Sequence, residues 1–371
     1  MRKTGNFYDK GKVDRGLIIA VIFLTVMGLF AVYSATRTIG GKTNIIVQAG
    51  AAFLGFALML FVAFCDYELY ERFAGFIFAG YTGMLLFVLA AGITGIWGSK
   101  SWIKVFGISI QPSEFAKLGF IITLSAHLAK IKDGINTFKG ILRLIIHLAC
   151  PLSLVLLQPD FGTAAVFAGI FAVLLIMAGL SPKIYIPIMG AVLALVPVVY
   201  RFLSGYQKKR IMVFLNPDTD PTGGGYNVIQ SKTALGSGGF PGSGYLKGIS
   251  TQNGFLPAKH TDFIFSSFSE EFGFFGSLLM ILILMFIILR IGTVAKRSNA
   301  LFGKYVCTGI GAMLFLHTFE NIGMCMGLMP VTGIPLPFVS YGGSSMVTNF
   351  ICIGVVLSVS RRISIFEKRK E

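Results

Sequence analysis

Charged residues are scarce in this sequence. Asp, Glu, Lys and Arg together make up 13% of its 371 residues, whereas a soluble domain carries about 25%. Hydrophobic residues make up 54%, and they are collected in unbroken runs of roughly 18 or more residues, long enough to span a bilayer as helices. These runs lack the alternation of apolar and polar residues that a membrane β-barrel needs. The composition therefore excludes a soluble globular protein and predicts an all-α polytopic membrane protein.

Acidic residues are scarcer still, with 16 Asp and Glu against 32 Lys and Arg and a net charge of +16. In a soluble protein this excess of cations would suggest a nucleic-acid partner. Here the cations lie in the segments between apolar runs, and no basic domain with interleaved aromatic residues is present. The charge therefore excludes nucleic acid and indicates membrane topology together with attraction to anionic membrane lipid.

Motifs for nucleotide or metal cofactors are also missing. The five cysteines lie in or beside apolar runs without metal-ligand or redox spacing, so we interpret them as small hydrophobic residues. The Gly-rich stretch 221–244, PTGGGYNVIQSKTALGSGGFPGSG, contains no phosphate-binding G-x-x-x-x-G-K-[ST] and no strand–Gly–helix context. We therefore predict no nucleotide cofactor, and a flexible loop that suits substrate entry.

The apolar runs predict ten membrane-spanning helices. A stretch that contains Pro330, Pro335 and Pro337 precedes the last of them, and these prolines exclude a continuous helix there. Because the stretch is too apolar for an exposed loop, residues 328–344 are predicted to form a re-entrant segment. The predicted spans are residues 16–35, 44–64, 73–93, 112–129, 141–157, 161–179, 183–201, 264–290, 304–327 and 345–360.

An even number of spans places both termini on the same side of the membrane. Lys and Arg are concentrated in residues 1–15, 130–140, 291–303 and 361–370, and the positive-inside rule assigns these to the cytoplasm. The whole chain is predicted to form one membrane-embedded domain, with one large extracytoplasmic loop. The extracytoplasmic face carries residues 36–43, 94–111, 158–160, 202–263 (the large loop) and 328–344.

Ionisable residues at membrane depth are costly and point to function by default. Glu114 and Lys117 are three residues apart in QPSEFAKLGF and so meet on one helical face. An ordinary helix start would explain Glu114 but not Lys117. Asp160 follows a proline and opens a helix, so it is either a cap or a site residue. Arg210, in YQKKRI, suits either a pyrophosphate group or the membrane interface.

Asp262, in LPAKHTDFIF, is the strongest single candidate. It stands at the start of a long apolar run, next to Lys259, His260 and Thr261. Helix capping is the alternative interpretation. Partial burial at a bilayer surface disfavours the charged form of a carboxylate, which suits a general base. All the candidates fall on the predicted extracytoplasmic face, whereas purely structural residues would be expected on both faces.

Four segments, in order along the chain, resemble the signature segments of the SEDS family (shape, elongation, division and sporulation). They are QPSEFAKLGF, LQPDFGTA, LPAKHTDFIFSSFSEEFGFFG and MPVTGIPLPFVSYGGSS. The resemblance covers essentially the whole chain. Two stretches, GISTQNGFLPAKHTDFIF and VTGIPLPFVSYGG, are more similar to the rod-elongation branch than to the division branch. The family implies a glycosyltransferase that polymerises lipid II, a lipid-linked cell-wall precursor, into peptidoglycan outside the bacterial cytoplasmic membrane.

The resemblance also implies roles for individual residues and a partner. Asp262 matches the essential aspartate of the family. Five further residues match positions that line the family's substrate site: Glu114, Lys117, Trp102 (in SKSWIKVFG), Asp160 and, more loosely, Arg210. The implied partner is a class B penicillin-binding protein, a transpeptidase that crosslinks the strands.

The implied chemistry requires one general base. The lipid pyrophosphate that departs from the donor sugar is already a good leaving group. The second carboxyl group of glycosidases, which protonates the departing oxygen, is therefore not required. Asp262 would accept the proton of the acceptor's 4-hydroxyl. Arg210 and Lys117, or a divalent cation (Mg²⁺ or Mn²⁺) held by acidic residues, would neutralise the pyrophosphate. The alternative function is a flippase for a lipid-linked precursor, which needs polar sites that reach both membrane faces.

Overall fold

The computed structural model describes residues 13–38, 41–94, 100–105, 108–202 and 205–368. This part of the chain is helical apart from connecting turns and a small antiparallel sheet of β1 (Ile93–Thr94), β2 (Lys100–Val105) and β3 (Ile108–Ile110). Two 3₁₀ turns cover Lys132–Asn136 and Pro217–Thr219. The helices are α1 (Arg15–Thr36), α2 (Gly41–Phe64), α3 (Glu68–Arg72), α4 (Ala74–Ala91), α5 (Pro112–Ile131), α6 (Phe138–Leu157), α7 (Phe161–Met177), α8 (Pro182–Phe202), α9 (Gly205–Leu215), α10 (Gly224–Ser237), α11 (Ile249–Gln252), α12 (Ile264–Arg297), α13 (Leu301–Cys325) and α14 (Gly343–Lys368).

Each of the ten predicted spans coincides with a helix, and each predicted start lies within a few residues of the helix start. Six of these helices, α1, α2, α4, α6, α12 and α14, are long and apolar enough to cross a membrane, and α7 is a shorter apolar helix. Helices α5 and α13 are less apolar because they carry buried ionisable side chains. The polytopic helical fold is confirmed, while the count of ten crossings stays a prediction.

Ion pairs mark one end of the helix bundle, which we call the terminal end. Arg290, late in α12, donates to Asp14 at the start of α1 at 2.6 Å, and Arg362 of α14 lies 3.8 Å from Asp66, just after α2. Since a short connection makes α1 and α2 antiparallel, the start of α1 and the end of α14 share this end, as an even number of crossings requires. Several predicted cytoplasmic cations lie outside the described residues: Arg2, Lys3, Lys10, Lys12, Arg369 and Lys370.

The described part of the predicted large loop (residues 202–263) contains helices α9, α10 and α11 and folds back onto the bundle. Helix α10 packs against α12 and α13. There, the buried Ser231 hydroxyl hydrogen-bonds Ser266 at 2.6 Å and donates to the carbonyl of Cys325 at 2.8 Å. The helix is therefore anchored to the starting turns of α12 and the last turn of α13, both of which belong to the end of the bundle opposite the terminal end.

The glycines of this loop allow close backbone packing against α12, a role that the interpretation as a flexible loop did not include. A Cβ atom at Gly238 would lie 2.2 Å from the carbonyl oxygen of Ser269, and one at Gly242 would lie 2.1 Å from that of Glu271. Gly273 interrupts the helical geometry of α12 with a φ of +65° and lies against Gly242. Only a residue without a side chain fits these three positions.

Gly273→Ala is expected to destabilise the protein by about 1–3 kcal/mol, because its backbone conformation is accessible essentially to glycine alone. The added Cβ would also lie 2.3 Å from the backbone nitrogen of Gly242. Gly292→Ala, in the same helix but with nothing within 4 Å of the added atom, is the matched control and is expected to be neutral or stabilising by up to about 1 kcal/mol. Thermal unfolding of the detergent-purified proteins measures both, and equal midpoints would contradict the proposed packing.

Candidate active site at one end of the helix bundle

Asp262 lies in a tight turn that precedes α12. The backbone N–H groups of Thr261 and Phe263 both donate to the carbonyl of Ala258, at 3.1 and 3.2 Å, and Ala258 has a left-handed φ of +48°. Such a conformation strains a residue that carries a Cβ. Asp262 is 6% exposed. The N-cap position of α12 belongs to Phe263, so Asp262 stands one residue outside the cap position.

Asn321, on α13, holds this turn from the interior of the bundle. Its Nδ2 group donates to the carbonyl oxygen of Asp262 at 2.9 Å and to that of Ile334 at 2.8 Å. Asn321 is fully buried, and both of its amide hydrogens are used. One side chain therefore fixes the turn relative to α13 and to residues 328–344 at the same time.

Residues 328–344, which we call the crossing segment, hold the turn from its other side. The hydroxyl of Ser340 donates to the carbonyl of Thr261 at 2.8 Å, and the backbone N–H of Tyr341 donates to the carbonyl of His260 at 2.9 Å. The buried Gln48 of α2 donates to the carbonyl of Ser340 at 3.0 Å. The crossing segment has no regular secondary structure before α14 begins, so these side chains satisfy backbone groups that a helix would pair internally.

Two buried glutamates that sequence reasoning did not single out, Glu270 and Glu271, fasten the loop before Asp262 to α12. Glu270 accepts from the backbone N–H groups of Ser250 and Thr251 at 2.7 and 2.9 Å and from the Thr251 hydroxyl at 2.7 Å. Lys259 in turn donates to the carbonyl of Thr251. The signal was present in SSFSEEFGFFG, where two adjacent carboxylates interrupt an apolar run.

The charges around this loop offset each other. Burial lowers the pKa of Lys259, and the negative charges of Glu270 and Glu271 oppose that shift. Burial and the positive charge of Lys259 lower the pKa of His260, so its ring is neutral at neutral pH. The Asp262 turn is therefore flanked by the partly buried side chain of Lys259 and by an uncharged imidazole.

Glu114 and Lys117 meet as predicted, with Nζ and Oε1 2.8 Å apart and the two residues 2% and 1% exposed. Lys117 Nζ is also 2.8 Å from Nε2 of His317 on α13. His317 and Asn321 are four residues apart and share one face of α13. This helix face therefore connects the buried ion pair with the turn of Asp262.

Asp160 is the N-cap of α7, which is the structural role that sequence analysis offered as an alternative. It accepts from the backbone N–H of Thr163 at 3.1 Å and from its hydroxyl at 2.9 Å. Two residues further on, Gly162 packs against Thr332 of the crossing segment, at 3.0 Å from the position of a Cβ. Asp160 itself is half-buried. It therefore lies near the crossing segment and remains partly accessible to solvent.

Trp102 and Arg210 lie at the same end of the bundle but in other elements. Trp102 is half-buried in β2, opposite Ile93, and the sheet leads directly into α5. Gln111, just before α5, donates its backbone N–H to the hydroxyl of Ser344 at the start of α14. Arg210 lies on α9 and lines a cleft together with Met329, Pro330 and Val331 of the crossing segment. The structure therefore brings Glu114 and Lys117 together.

The fit to a divalent cation is partial. Within the described ranges, no group of three or more His, Cys, Asp or Glu side chains is assembled to hold a metal ion. One buried carboxylate oxygen, Oε2 of Glu320, has no hydrogen-bond partner in that same part of the chain. The residues do not form an all-protein metal site, and a bound cation would need ligands from a substrate.

The fold and these side chains define a polytopic helical membrane protein with a buried polar site at one end of its bundle. The family model described as Cell cycle protein, which covers FtsW, RodA and SpoVE, matches residues 15–365. The chain therefore belongs to this family, the SEDS family that its four sequence segments resemble.

Relatives of known name match nearly the whole chain. Peptidoglycan glycosyltransferase MrdB of Escherichia coli strain K12 is 34% identical over 358 residues, which cover 95% of this chain and 95% of that protein. Peptidoglycan glycosyltransferase RodA of Treponema pallidum is 31% identical over 424 residues (94% and 98%). Probable peptidoglycan glycosyltransferase FtsW of Trichlorobacter lovleyi is 35% identical over 360 residues (94% and 93%). RodA-type and FtsW-type relatives thus match at similar identity.

Solved structures have the same fold. One solved structure is described as structural coordination of polymerization and crosslinking by a peptidoglycan synthase complex. A chain of this structure matches with a TM-score of 0.83 and 27% identity, and the match covers 95% of this chain and 98% of that chain. The crystal structure of the rod shape determining protein RodA from Thermus thermophilus matches with a TM-score of 0.71 and 25% identity (94% and 97%).

Lys117→Met is expected to destabilise the protein by about 3–5 kcal/mol, because it leaves Glu114 as an unpaired charge in the bundle interior. The double variant Glu114→Leu/Lys117→Met removes both charges and is expected to recover most of that loss. The double-mutant cycle compares the thermal unfolding of the wild type, Glu114→Leu, Lys117→Met and the double variant. Additive effects of the two single substitutions would show that the pair is not energetically coupled.

Proposed function

We propose that this protein is a peptidoglycan glycosyltransferase that polymerises lipid II into glycan strands at the outer face of the bacterial cytoplasmic membrane. One observation carries the proposal. The buried Asp262, in the turn that Asn321 and the crossing segment hold, lies at the same bundle end as the Glu114–Lys117 pair. The relatives that match most of the chain are named peptidoglycan glycosyltransferases, which supports this activity.

In the proposed reaction, the 4-hydroxyl of the acceptor lipid II attacks the anomeric carbon at the lipid-linked end of the donor strand. The new glycosidic bond forms as the bond between that carbon and the pyrophosphate oxygen breaks. The lipid pyrophosphate leaves with the bonding electrons, and Asp262 accepts the hydroxyl proton as general base. No acid needs to protonate the leaving oxygen, since the pyrophosphate is stable as an anion.

The negative charge of the departing pyrophosphate needs compensation. The sequence predicts either Arg210 and Lys117, or a divalent cation held by acidic residues, for this task. Lys117 is already matched by Glu114. We therefore include Mg²⁺ or Mn²⁺ in the proposal. Mg²⁺ is usually held by one or two carboxylates together with substrate phosphates, so this cation would arrive with the lipid pyrophosphate.

The proposal includes a partner and a place in the cell cycle. A class B penicillin-binding protein would crosslink the strands that this chain makes. The similarity to a chain from a synthase complex that coordinates polymerization and crosslinking supports such a pairing. We propose a role in cell elongation rather than division, on the resemblance of two sequence stretches to the rod-elongation branch.

A flippase for lipid-linked precursors is the rival function. Transport across the bilayer needs polar groups that are reachable from both faces. The six predicted site residues all lie at the end of the bundle opposite the start of α1 and the end of α14. This one-sided arrangement favours chemistry at one membrane face.

Asp262→Asn is expected to lower the rate of lipid II polymerisation by at least about 100-fold, because general bases contribute roughly 10²–10⁴ in rate. The measurement uses the purified protein with its penicillin-binding partner and labelled lipid II, and the strands are separated on a gel. Asp218→Asn, which changes an exposed carboxylate in the same large loop, is the matched control and should retain full activity.

Two outcomes would contradict the polymerase. Strands of normal length and rate from a folded Asp262→Asn protein would remove Asp262 from the site. An absence of strands from the wild type, together with movement of lipid II across vesicle membranes, would favour the flippase.

Chelation of divalent cations is expected to stop polymerisation, and added Mg²⁺ or Mn²⁺ should restore it. Because the proposed cation depends on substrate phosphates, the chelator should leave the thermal unfolding midpoint of the substrate-free protein unchanged. Full activity in the chelator would remove the metal from the proposal. A lower midpoint without substrate would instead indicate a cation held by the protein alone.

A further inference from the structure

One face of helix α9 is turned toward the rest of the large loop. The helix packs against α10 and against the 3₁₀ turn Pro217–Thr219. On this face, Lys209 lies 3.1 Å from the carboxylate of Asp220, and Val213, four residues after Lys209, is only 4% exposed. These contacts fix the orientation of the helix about its own axis, and they determine which side chains point away from the protein.

The outward face of α9 carries Lys208, Met212 and Leu215. These residues are four and three positions apart and therefore align along one side of the helix. Met212 is 48% exposed and Leu215 is 72% exposed. The described part of the chain thus leaves two large apolar side chains uncovered, in line with one lysine.

The end of α8 indicates the depth of this face in the membrane. Helix α8 covers the predicted span 183–201, and its last turn carries the exposed residues Tyr200 and Arg201. Aromatic and basic side chains are typical of the ends of membrane spans. Lys208 donates to the carbonyl of Arg201 at 3.1 Å, and its Nζ atom lies 5.8 Å from the centre of the Tyr200 ring. The first turn of α9 therefore lies at the level where α8 leaves the bilayer.

The charge of Lys208 has no carboxylate to match it among the described residues, because its contacts are a carbonyl oxygen and an aromatic ring. A lysine at this level is favoured by the phosphate groups of membrane lipids. Its long side chain can reach them while neighbouring apolar side chains enter the hydrocarbon. A helix that combines cations with exposed apolar residues is typical of segments that lie in the membrane surface.

We propose that α9 is an interfacial helix, with Met212 and Leu215 among the lipid chains and Lys208 at the level of the phosphate groups. The partner of its outward face is the phospholipid bilayer. This inference goes beyond the proposed function, because it concerns how the large loop is anchored and not the reaction. The loop is then held at two places, by Ser231 on the helix bundle and by α9 in the lipid.

Tryptophan fluorescence measures the depth of this face. Full-length Leu215→Trp is placed in nanodiscs whose lipids carry bromine either near the head group or near the chain ends. The signal of the parent protein, which has two tryptophans, is subtracted. Bromine near the head group should quench Leu215→Trp more strongly. Leu282→Trp, at a 57% exposed position in the predicted span of α12, is the matched control and should be quenched more strongly by bromine near the chain ends.

Two results would overturn the proposed depth. Quenching of Leu215→Trp by acrylamide in the water, with little quenching by either lipid, would place the face in solvent. A pattern like that of Leu282→Trp would make α9 a segment embedded in the hydrocarbon.

A protein is the alternative occupant of this face. The lipid quenching of Leu215→Trp is therefore measured for the protein alone and with its penicillin-binding partner. Unchanged quenching supports the bilayer as the partner. Loss of quenching when the second protein is added would show a protein-docking surface and would overturn the proposal.

The contact of Lys208 with lipid phosphate is tested through charge. Phosphatidylglycerol in the nanodisc should reduce acrylamide quenching of Leu215→Trp, by up to about fivefold, and high salt should cancel this protection. Adding Lys208→Gln should abolish the effect of phosphatidylglycerol. Lys209→Gln is the matched control, since Asp220 already matches that charge, and it should keep the effect. The same lipid dependence with and without Lys208→Gln would overturn the assignment of Lys208 to the membrane surface.

Discussion

The side-chain amide of Asn321 is the interaction on which the arrangement of the site depends. Its two N–H groups hold the carbonyls of Asp262 and Ile334, and neither carbonyl belongs to a helix. A buried backbone group without a partner costs about 1–3 kcal/mol. Within a bilayer-spanning bundle no water is on hand to replace the amide. The turn before α12 and the crossing segment therefore have one relative position, which α13 dictates.

The same constraint governs the charges. Glu114 and Lys117 neutralise each other, and Glu270 finds four hydrogen-bond donors in Ser237, Ser250 and Thr251. Charged groups are costly to bury, and here Glu114 has an ion-pair partner and Glu270 has several hydrogen-bond donors. The turn of Asp262 is held through the backbone carbonyls of Asp262 and Thr261, which accept hydrogen bonds from Asn321 and Ser340.

Much of the fold follows from local sequence patterns. The helix positions could be predicted because apolar runs of spanning length have few other folds, and the Glu114–Lys117 contact could be predicted because residues three apart face each other on a helix. The role of Asn321 could not, because its partners lie 59 and 13 residues away in sequence. Helices α9 to α11 and the break at Gly273 were also missed, since the packing of the large loop on α12 decides them.

The crossing segment contacts most of the elements that meet at this end of the bundle. In a helix over these residues, the backbone N–H and C=O groups would hydrogen-bond each other. They would not be available to neighbouring elements. Three prolines prevent that helix. The irregular backbone instead leaves its polar groups available to several neighbouring elements. Its contacts in chain order are Met329, Pro330 and Val331 with the cleft that Arg210 also lines, Thr332 with Gly162 beside the Asp160 cap, Ile334 with Asn321, Ser340 and Tyr341 with the Asp262 turn, and Ser344 with Gln111 before α5. The irregular backbone is thus what allows residues from five distant stretches of chain to converge at one end of the bundle.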